Sequence, residues 1–223
     1  MGEWVQVAVG DAEVRGYLAV PERGSGPGVL VCHAWWGLNE FFVSLCDRLA
    51  GEGFVAFAAD MYGGRTATTI EDAEALVGTL TRDHARSVVT AALDTLLARP
   101  EVPGAKVGAL GFSLGGAWAM LLSVWKPEQV AAVVDFYGTI DGDYSTSQAA
   151  YLGHFAPSDE WEPDEGVHAL EAALTDAGHD TTFHWYPGAG HWFFEDNRPD
   201  AYNADAAQLA WERTLSFLHS HLD

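Results

Sequence analysis

Short apolar runs recur along the chain, and longer segments with helical periodicity separate them. These runs carry apolar residues on both alternations rather than on one, which is typical of strands covered on both faces in a parallel sheet. The runs cover residues 28–32, 54–59, 106–112, 130–136, 149–155 and 182–186. A Gly10-Asp11 turn signal between residues 5–9 and 13–20 predicts an antiparallel hairpin that precedes them.

The segments between the runs carry apolar residues three and four positions apart, which predicts helices. They cover residues 39–52, 70–99, 114–125, 163–177 and 201–221. Residues 70–99 are long enough for two helices with a break near Gly78 and Thr81, and Gly178 is a predicted left-handed helix end. In the last segment Leu209 is predicted to share a buried face with Ala206 and Ala210.

Strands and helices in alternation predict an α/β fold, a three-layer sandwich with a mostly parallel sheet and the N-terminal antiparallel hairpin. No linker, repeat or low-complexity tract interrupts residues 1–223, so we expect a single domain. The hydrophobic fraction of 48% is far above that of a disordered chain. No apolar run approaches the ~20 residues of a membrane helix.

Charge and cysteine content narrow the function classes further. The chain has 32 acidic and 11 basic residues and a net charge of −21, which disfavours nucleic acid and anionic membrane surfaces as partners. Two cysteines, Cys32 and Cys46, are too few for a disulfide scaffold. No signal-peptide pattern is visible at the N-terminus, so we expect a cytoplasmic location.

The sharpest motif is Gly111-Phe112-Ser113-Leu114-Gly115, placed where an apolar run meets a helical segment. A nucleophile at a strand-to-helix turn has a strained backbone that exposes its side chain, and glycines are needed where side chains would collide with neighbouring elements. Such a serine also lies at the positive end of the helix, which favours a developing oxyanion. With 24 glycines the pattern can arise by chance, but its context favours a nucleophilic Ser113.

A serine nucleophile needs a base, and the base needs an acid that orients it. His191 follows Gly188-Ala189-Gly190 in the loop after residues 182–186, whereas His184 falls within a predicted strand and His219 and His221 fall within a predicted helix. His191 is therefore the predicted base, and a histidine base predicts that activity falls as the pH drops below neutrality.

The predicted acid is Asp159, in the loop after residues 149–155. Glu160 and Glu162 are alternatives in the same loop, where many acidic residues are simply solvated. Asp135, near the end of another strand, is a third alternative that can also be structural.

An acyl-transfer site also needs backbone N–H groups that bind the oxyanion. The predicted donors are Leu114, directly after the nucleophile, and Trp35, in the loop after residues 28–32. Trp36, Tyr62 and Trp192 are predicted to line the substrate pocket, although Trp36 fits a role in core packing equally well.

Three histidines near predicted strand ends, His33, His154 and His191, have a superficial likeness to metal ligands. No two of them have the short spacing of a zinc site, so neither a metal nor a cofactor is predicted.

Taken together, these motifs resemble the dienelactone hydrolase family of α/β-hydrolases. The matching segments are residues 33–39, 60–62, 111–116, 135–138, 153–163 and 187–191, which occur in the family's order and extend over nearly the whole chain. The resemblance implies an α/β-hydrolase fold without a large cap domain and a triad of nucleophile, aspartate and histidine on Ser113, Asp159 and His191. It also implies that no cofactor is used.

Two positions depart from the family pattern. Ser113 stands where dienelactone hydrolases have a nucleophilic cysteine, and Ala34 matches the position of a glutamate that partners that thiol. The family's arginines that hold a substrate carboxylate have no convincing match, because only Arg65 and Arg198 fall near predicted pocket loops.

The sequence therefore predicts a serine hydrolase that cleaves a small ester or lactone. The alternatives are a thioesterase or other acyl hydrolase of the same fold and a non-catalytic α/β-hydrolase-like binding protein, since a fold alone does not guarantee activity. The expected partner is a small-molecule substrate, and the sequence leaves open whether the protein is a monomer or a homodimer.

Overall fold

The computed structural model describes residues 2–157 and 159–223. Its strands are β1 (Glu3–Val9), β2 (Ala12–Ala19), β3 (Gly28–Cys32), β4 (Val55–Ala59), β5 (Val107–Phe112), β6 (Val130–Phe136), β7 (Ala150–Phe155) and β8 (Thr181–Trp185). Its helices are α1 (Glu40–Gly51), α2 (Ile70–Val77), α3 (Arg82–Leu97), α4 (Leu114–Trp125), α5 (Asp164–Asp176) and α6 (Ala204–Leu222).

All eight strands form one sheet in the order β1-β2-β4-β3-β5-β6-β7-β8. The β1–β2 and β2–β4 pairs are antiparallel, and every other neighbouring pair is parallel. Val9 pairs with Ala12 across a tight turn in which Gly10 has a φ of 60°. The predicted α/β sandwich with an N-terminal antiparallel hairpin and no large cap is therefore confirmed.

Apolar layers cover both faces of the sheet. One hydrophobic cluster joins one side of the strands to the buried faces of α1, α2 and α6, and the other joins the opposite side to α3, α4 and α5. The central strands β3, β4, β5 and β7 are buried at every position, whereas the edge strand β8 is only partly buried. This explains why these central strands are almost entirely apolar, with His154 of β7 as an exception, while β8 contains Thr181, Thr182 and His184.

Helix ends follow local sequence signals. Asn39, Thr69, Thr81 and Asn203 cap α1, α2, α3 and α6 by accepting hydrogen bonds from backbone N–H groups of the first turn. The predicted break near Thr81 is confirmed, since α3 starts directly after that residue. Gly178, with a φ of 85°, follows α5 as predicted.

One predicted buried position is wrong. Leu209 of α6 is 42% exposed, because the helix turns Ala206, Ala210 and Trp211 toward the sheet instead. Leu209 lies beyond the edge of this buried face on the helical wheel, so its apolar side chain is at the surface.

The topology positions the functional loops. The strands β3, β5, β6, β7 and β8 are mutually parallel, so their C-terminal ends lie on the same side of the sheet. The segments that follow these strands all leave the sheet there. Ligand sites of α/β sheets lie at this edge. No helix in the described part of the chain combines the length and apolar character of a membrane span.

Candidate active site

Ser113 lies at a sharp turn between β5 and α4. Its backbone adopts φ 51° and ψ −117°, in the left-handed half of conformational space that non-glycine residues rarely occupy. The turn needs glycines on both sides, because a Cβ on Gly111 would collide with the carbonyl of Gly115, and one on Gly115 would collide with the carbonyl of Cys32. Local sequence thus holds the Ser113 side chain above the end of the strand.

The three side chains predicted as nucleophile, base and acid meet at this edge of the sheet. Nδ1 of His191 lies 2.7 Å from Oδ2 of Asp159, and Nε2 of His191 lies 3.0 Å from Oγ of Ser113. Since a carboxylate accepts, Nδ1–H donates to Asp159, and Nε2 is left to accept from the serine hydroxyl. His191 and Asp159 are each 7% exposed, whereas Ser113 is more accessible.

The loop after β7 supplies further donors to Asp159. Its Oδ1 accepts hydrogen bonds from the backbone N–H groups of Trp161 at 2.8 Å and Glu162 at 3.2 Å. With the bond from His191, the carboxyl group has three donors although it is almost completely buried. Together these donors hold the carboxyl group in place beside the imidazole of His191.

The loop after β8 brings His191 back over the sheet. Its N-terminal part is tied down by the N–H of Tyr186, which donates to the Phe155 carbonyl. Gly188 has a φ of 80°, and the Ala189 N–H bonds back to the Tyr186 carbonyl to close a turn. Small residues allow this tight return, which places His191 78 residues beyond Ser113 along the chain but within hydrogen-bond distance of it.

The two predicted oxyanion donors flank the start of α4. Leu114 is the first helical residue, so its N–H has no acceptor within the helix. The loop after β3 packs against the same end, since a Cβ on Gly115 would meet the carbonyls of Cys32 and His33. Among the described residues, no acceptor for the N–H of Leu114 or Trp35 is present.

His33 orients the loop that contains Trp35. Its Nδ1–H donates to the Ala34 carbonyl at 2.7 Å, and its Nε2 accepts from the Met61 N–H at 3.1 Å. Burial lowers the pKa of His33, which keeps this ring neutral. Because the Ala34 carbonyl and the Trp35 N–H belong to one peptide unit and point in opposite directions, the bond to Ala34 also directs the Trp35 N–H.

Tryptophan side chains form a wall beside His191. The ring of Trp161 lies 5.0 Å from that of Trp35 and 5.5 Å from that of Trp192, centroid to centroid. A cavity of 410 Å³ opens next to them. Its aromatic and acidic lining residues are Trp161, Trp192, Tyr202, Asp159, Glu160 and Asp200. Of the described residues that line it, none is Lys or Arg.

Two of the predicted pocket residues lie deeper. Trp36 is completely buried, and Tyr62 is 3% exposed with its ring against His33. Neither is among the described residues that line the cavity beside His191. Their position favours a supporting role behind the loop after β3, and Trp192 is the predicted pocket residue that reaches the cavity.

The two candidate arginines are engaged with protein groups. Arg198 stacks over the indole of Trp36, with 3.1 Å between the guanidinium carbon and the ring centroid. Arg65 donates to the Tyr62 carbonyl and to the hydroxyl of Thr79.

The alternative acids do not contact His191 through a hydrogen bond in the described part of the structure. Glu160 is exposed, and the carboxyl group of Glu162 accepts from the Thr139 hydroxyl. Burial raises the pKa of Glu162, an effect that Thr139 and the nearby His191 oppose. Asp135 is 1% exposed and lies against Gly116 and Gly138, where a Cβ on either glycine would crowd its Oδ1.

Two polar residues near His191 were not found by sequence reasoning. Tyr137 lies directly after β6, and its ring centroid is 4.8 Å from that of His191. Its hydroxyl donates to Glu195 at 2.9 Å, and both residues are completely buried. The short distance along the chain between Glu195 and His191 is a weak signal, because one acidic residue is not distinctive in so acidic a chain.

The histidines near the sheet edge do not form a metal centre. His33 bonds within its own loop, and both ring nitrogens of His154 pair with hydroxyls, those of Tyr186 and Thr214. No group of three or more potential metal ligands occurs among residues 2–157 and 159–223.

Comparison with known proteins places this geometry in a family. The model of the dienelactone hydrolase family matches residues 14–222. The chain belongs to the dienelactone hydrolase family. It is thus a hydrolase with the α/β-hydrolase fold, and the membership expected from its motifs is confirmed.

Relatives of this dienelactone hydrolase-like chain match it from end to end. It is 34% identical over 233 residues to the protein usf of Aquifex pyrophilus, and 32% identical over 231 residues to a putative carboxymethylenebutenolidase of Aquifex aeolicus, with 100% of both chains covered in each case. A crystal structure of a dienelactone hydrolase-like promiscuous phosphotriesterase from metagenomic libraries has 28% identity and a TM-score of 0.88, covering 100% of this chain and 99% of that one.

Proposed function

We propose that this protein is a serine hydrolase that cleaves small esters or lactones, with Ser113 as nucleophile, His191 as base and Asp159 as orienting acid. The observation that carries the proposal is the continuous hydrogen-bond chain from Ser113 through His191 to Asp159, with distances of 3.0 and 2.7 Å. Nucleophile, base and orienting acid within hydrogen-bond reach are the signature of covalent acyl-transfer catalysis.

The proposed reaction proceeds through an acyl-enzyme. Nε2 of His191 takes the proton of the Ser113 hydroxyl as Oγ attacks the acyl carbonyl, and Asp159 stabilises the imidazolium. The N–H groups of Leu114 and Trp35 bind the oxyanion of the tetrahedral intermediate, and each contributes ~3 kcal/mol to lowering the barrier. His191 then protonates the leaving alcohol, and an activated water molecule releases the acid.

The lining of the cavity supports an uncharged substrate. Tryptophan and tyrosine rings offer apolar contact area, while Glu160 and Asp200 make the potential at the opening negative. Several relatives are named putative carboxymethylenebutenolidases. In this chain, however, the candidate arginines Arg198 and Arg65 are held by Trp36 and Tyr62, and neither lines the cavity. We therefore propose neutral esters and lactones ahead of anionic ones.

A labelling and turnover experiment tests the proposal. The wild-type protein should hydrolyse p-nitrophenyl acetate and react with a fluorophosphonate probe at Ser113. Ser113→Ala should lose both reactions, with activity lower by at least ~1,000-fold. The matched control is Ser87→Ala, which removes an exposed hydroxyl from α3 and should leave both reactions intact. Retention of most activity in Ser113→Ala would refute the assignment.

A panel of substrates tests which class of ester the protein prefers. Neutral lactones, short esters and thioesters, assayed under the same conditions, separate esterase, lactonase and thioesterase preferences. The open cavity at the edge of the sheet predicts that short acyl groups are cleaved faster than long ones.

A further inference from the structure

Tyr137 and Glu195 form a buried polar pair against the face of the proposed base. Both are completely buried, and the Tyr137 hydroxyl donates to Oε1 of Glu195 at 2.9 Å. The Tyr137 ring packs on the imidazole of His191 with 4.8 Å between centroids. The proposed hydrolysis assigns no step to either residue, although burying such groups is costly.

The backbone of Tyr137 is strained in a way that requires support. Its φ of 45° lies in the left-handed region, which is unfavourable for a bulky residue. The Tyr137 N–H donates to the His154 carbonyl, and the side-chain hydroxyl is held by Glu195. Strain of this kind persists where the surrounding structure holds the residue, and it concentrates at functional sites.

Glu195 has one satisfied oxygen and one without a partner. Among the described residues, no donor bonds to Oε2. Burial raises the pKa of Glu195 to about 7, although the hydrogen bond from Tyr137 and the positive charge of Arg198 oppose the shift. Tyr137 and Arg198 are the titratable groups that face it, and Asp159 and Glu162 are those that face His191.

We propose that Tyr137 and Glu195 are a positioning pair that holds the imidazole of His191 in line with Ser113. This inference deepens the proposed function and rests on it. Ionised Glu195 accepts from the Tyr137 hydroxyl and so fixes the ring beneath His191. Protonated Glu195 carries an O–H with no acceptor among the described residues, so the pair loosens and the imidazole loses its support. The active form therefore has His191 neutral and Glu195 ionised.

The pH profile distinguishes positioning from plain core packing. If Glu195 only fills the core, Glu195→Gln changes the stability of the protein but not the number of protons that control activity. If the pair positions His191, log kcat/KM of the wild type falls toward acid pH with a slope near two, since two groups must lose protons. Glu195→Gln then falls with a slope near one.

The experiment measures kcat and KM of wild type and Glu195→Gln from pH 5 to 9 on a neutral ester. We expect kcat of the variant to be lower by between about tenfold and 100-fold above neutral pH, with KM nearly unchanged, because a small misplacement of the base costs that much. Glu212→Gln, on the exposed face of α6, is the matched control and should keep the wild-type slope. An unchanged slope in Glu195→Gln overturns the proposal.

A second variant covers the case in which Glu195→Gln does not fold. Tyr137→Phe keeps the ring and removes the hydroxyl through which Glu195 holds it, so log kcat/KM of this variant should fall toward acid pH with a slope near one, as in Glu195→Gln. A slope near two in Tyr137→Phe overturns the proposal.

Failure of the proposed function gives a different result. In that case the wild type neither turns over esters nor reacts at Ser113. A positioning failure instead leaves an active wild type whose variants share its pH profile. The ¹³Cε1 resonance of His191 should also show an inflection near pH 7 that Glu195→Gln removes, and a wild-type titration without it counts against the pair.

Discussion

Two buried aspartates near the ends of adjacent strands are held in opposite ways. Asp159, after β7, accepts from His191 and from two backbone N–H groups. Asp135, the penultimate residue of β6, has no hydrogen-bond partner for either carboxyl oxygen among the described residues. Burial and the charge of Glu162 raise the pKa of Asp135 well above its usual range, although the nearby Gly138 N–H, which does not reach hydrogen-bond geometry, opposes the shift.

The two carboxyl groups differ in the donors that reach them rather than in their burial. Both side chains are less than one-tenth exposed. Within a strand the backbone N–H groups are used by the sheet, so Asp135 receives little from its own segment. The loop after β7 leaves the sheet and turns its N–H groups toward Asp159. A loop can therefore supply a buried carboxyl group with donors that a position within the strand does not receive.

The largest expected effect separates the two aspartates by activity. Asp159→Asn keeps the size of the side chain but removes the acceptor that sets the imidazole tautomer, so kcat should fall by roughly 10³–10⁴-fold. Asp135→Asn should remain within about threefold of wild type, because neither carboxyl oxygen of Asp135 has a hydrogen-bond partner among the described residues. Turnover of a neutral ester measures both. Comparable losses in the two variants would mean that Asp135 also serves the base.

A second, smaller effect tests how tightly Asp135 is enclosed. Gly116→Ala places a Cβ against Oδ1 of Asp135 and should reduce the free energy of unfolding by ~1–3 kcal/mol. Gly51→Ala is the control, since it lies at the end of α1 with open space around it, and should be neutral or stabilising by about 0.5 kcal/mol. Urea denaturation measures both. An unchanged stability of Gly116→Ala would show that the strand end has room to adjust.

The pH dependence of stability is the next effect. Because the pKa of Asp135 is raised in the folded state, the unfolded chain releases this proton first, and stability is lost as the pH rises above the ordinary aspartate range of about 4. Asp135→Asn removes that loss, so its melting temperature relative to wild type should increase from pH 4 to pH 8. A constant difference between the two proteins would contradict a raised pKa of Asp135.

The smallest effect concerns carboxylates that water solvates. Glu160 and Asp200 are exposed at the cavity, so their charge acts only through a screened field. An ester with a remote carboxylate should have a kcat/KM about two- to fivefold below that of its neutral analogue at low salt, and the gap should close with added salt. Asp200→Asn should narrow it, whereas Asp176→Asn at the end of α5 should not. A gap that salt leaves unchanged would point to a steric cause.

Local features of the fold were predictable because short-range chemistry decides them. The sharp turn that contains Ser113 depends on Gly111, on Gly115 and on the change from strand β5 to helix α4, which all lie within a few residues. The start of α3 after Thr81 follows from a side-chain cap. The parallel order of strands then implies that the loops containing Asp159 and His191 leave the same edge.

Features that depend on which side chain faces which neighbour were not predictable. The alternation of apolar residues does not distinguish Leu209, which is exposed, from Ala210, which is completely buried. Likewise, no pattern shows that Trp36 lies beneath the guanidinium of Arg198. Tyr137 and Glu195 are 58 residues apart, and nothing local to either of them indicates their hydrogen bond.

By itself, the sequence determined the α/β class, the position of the sharp turn at Ser113 and the small set of residues able to act as nucleophile, base and acid. Hydrophobic periodicity, the placement of glycines and helix caps each depend on a few neighbouring residues, so the sequence is enough to predict their effects. The tertiary structure alone decided which aspartate bonds to His191, which tryptophans reach the cavity and that Tyr137 and Glu195 lie beneath the imidazole. Those outcomes depend on desolvation and on donors contributed by distant segments, which only the folded chain brings together.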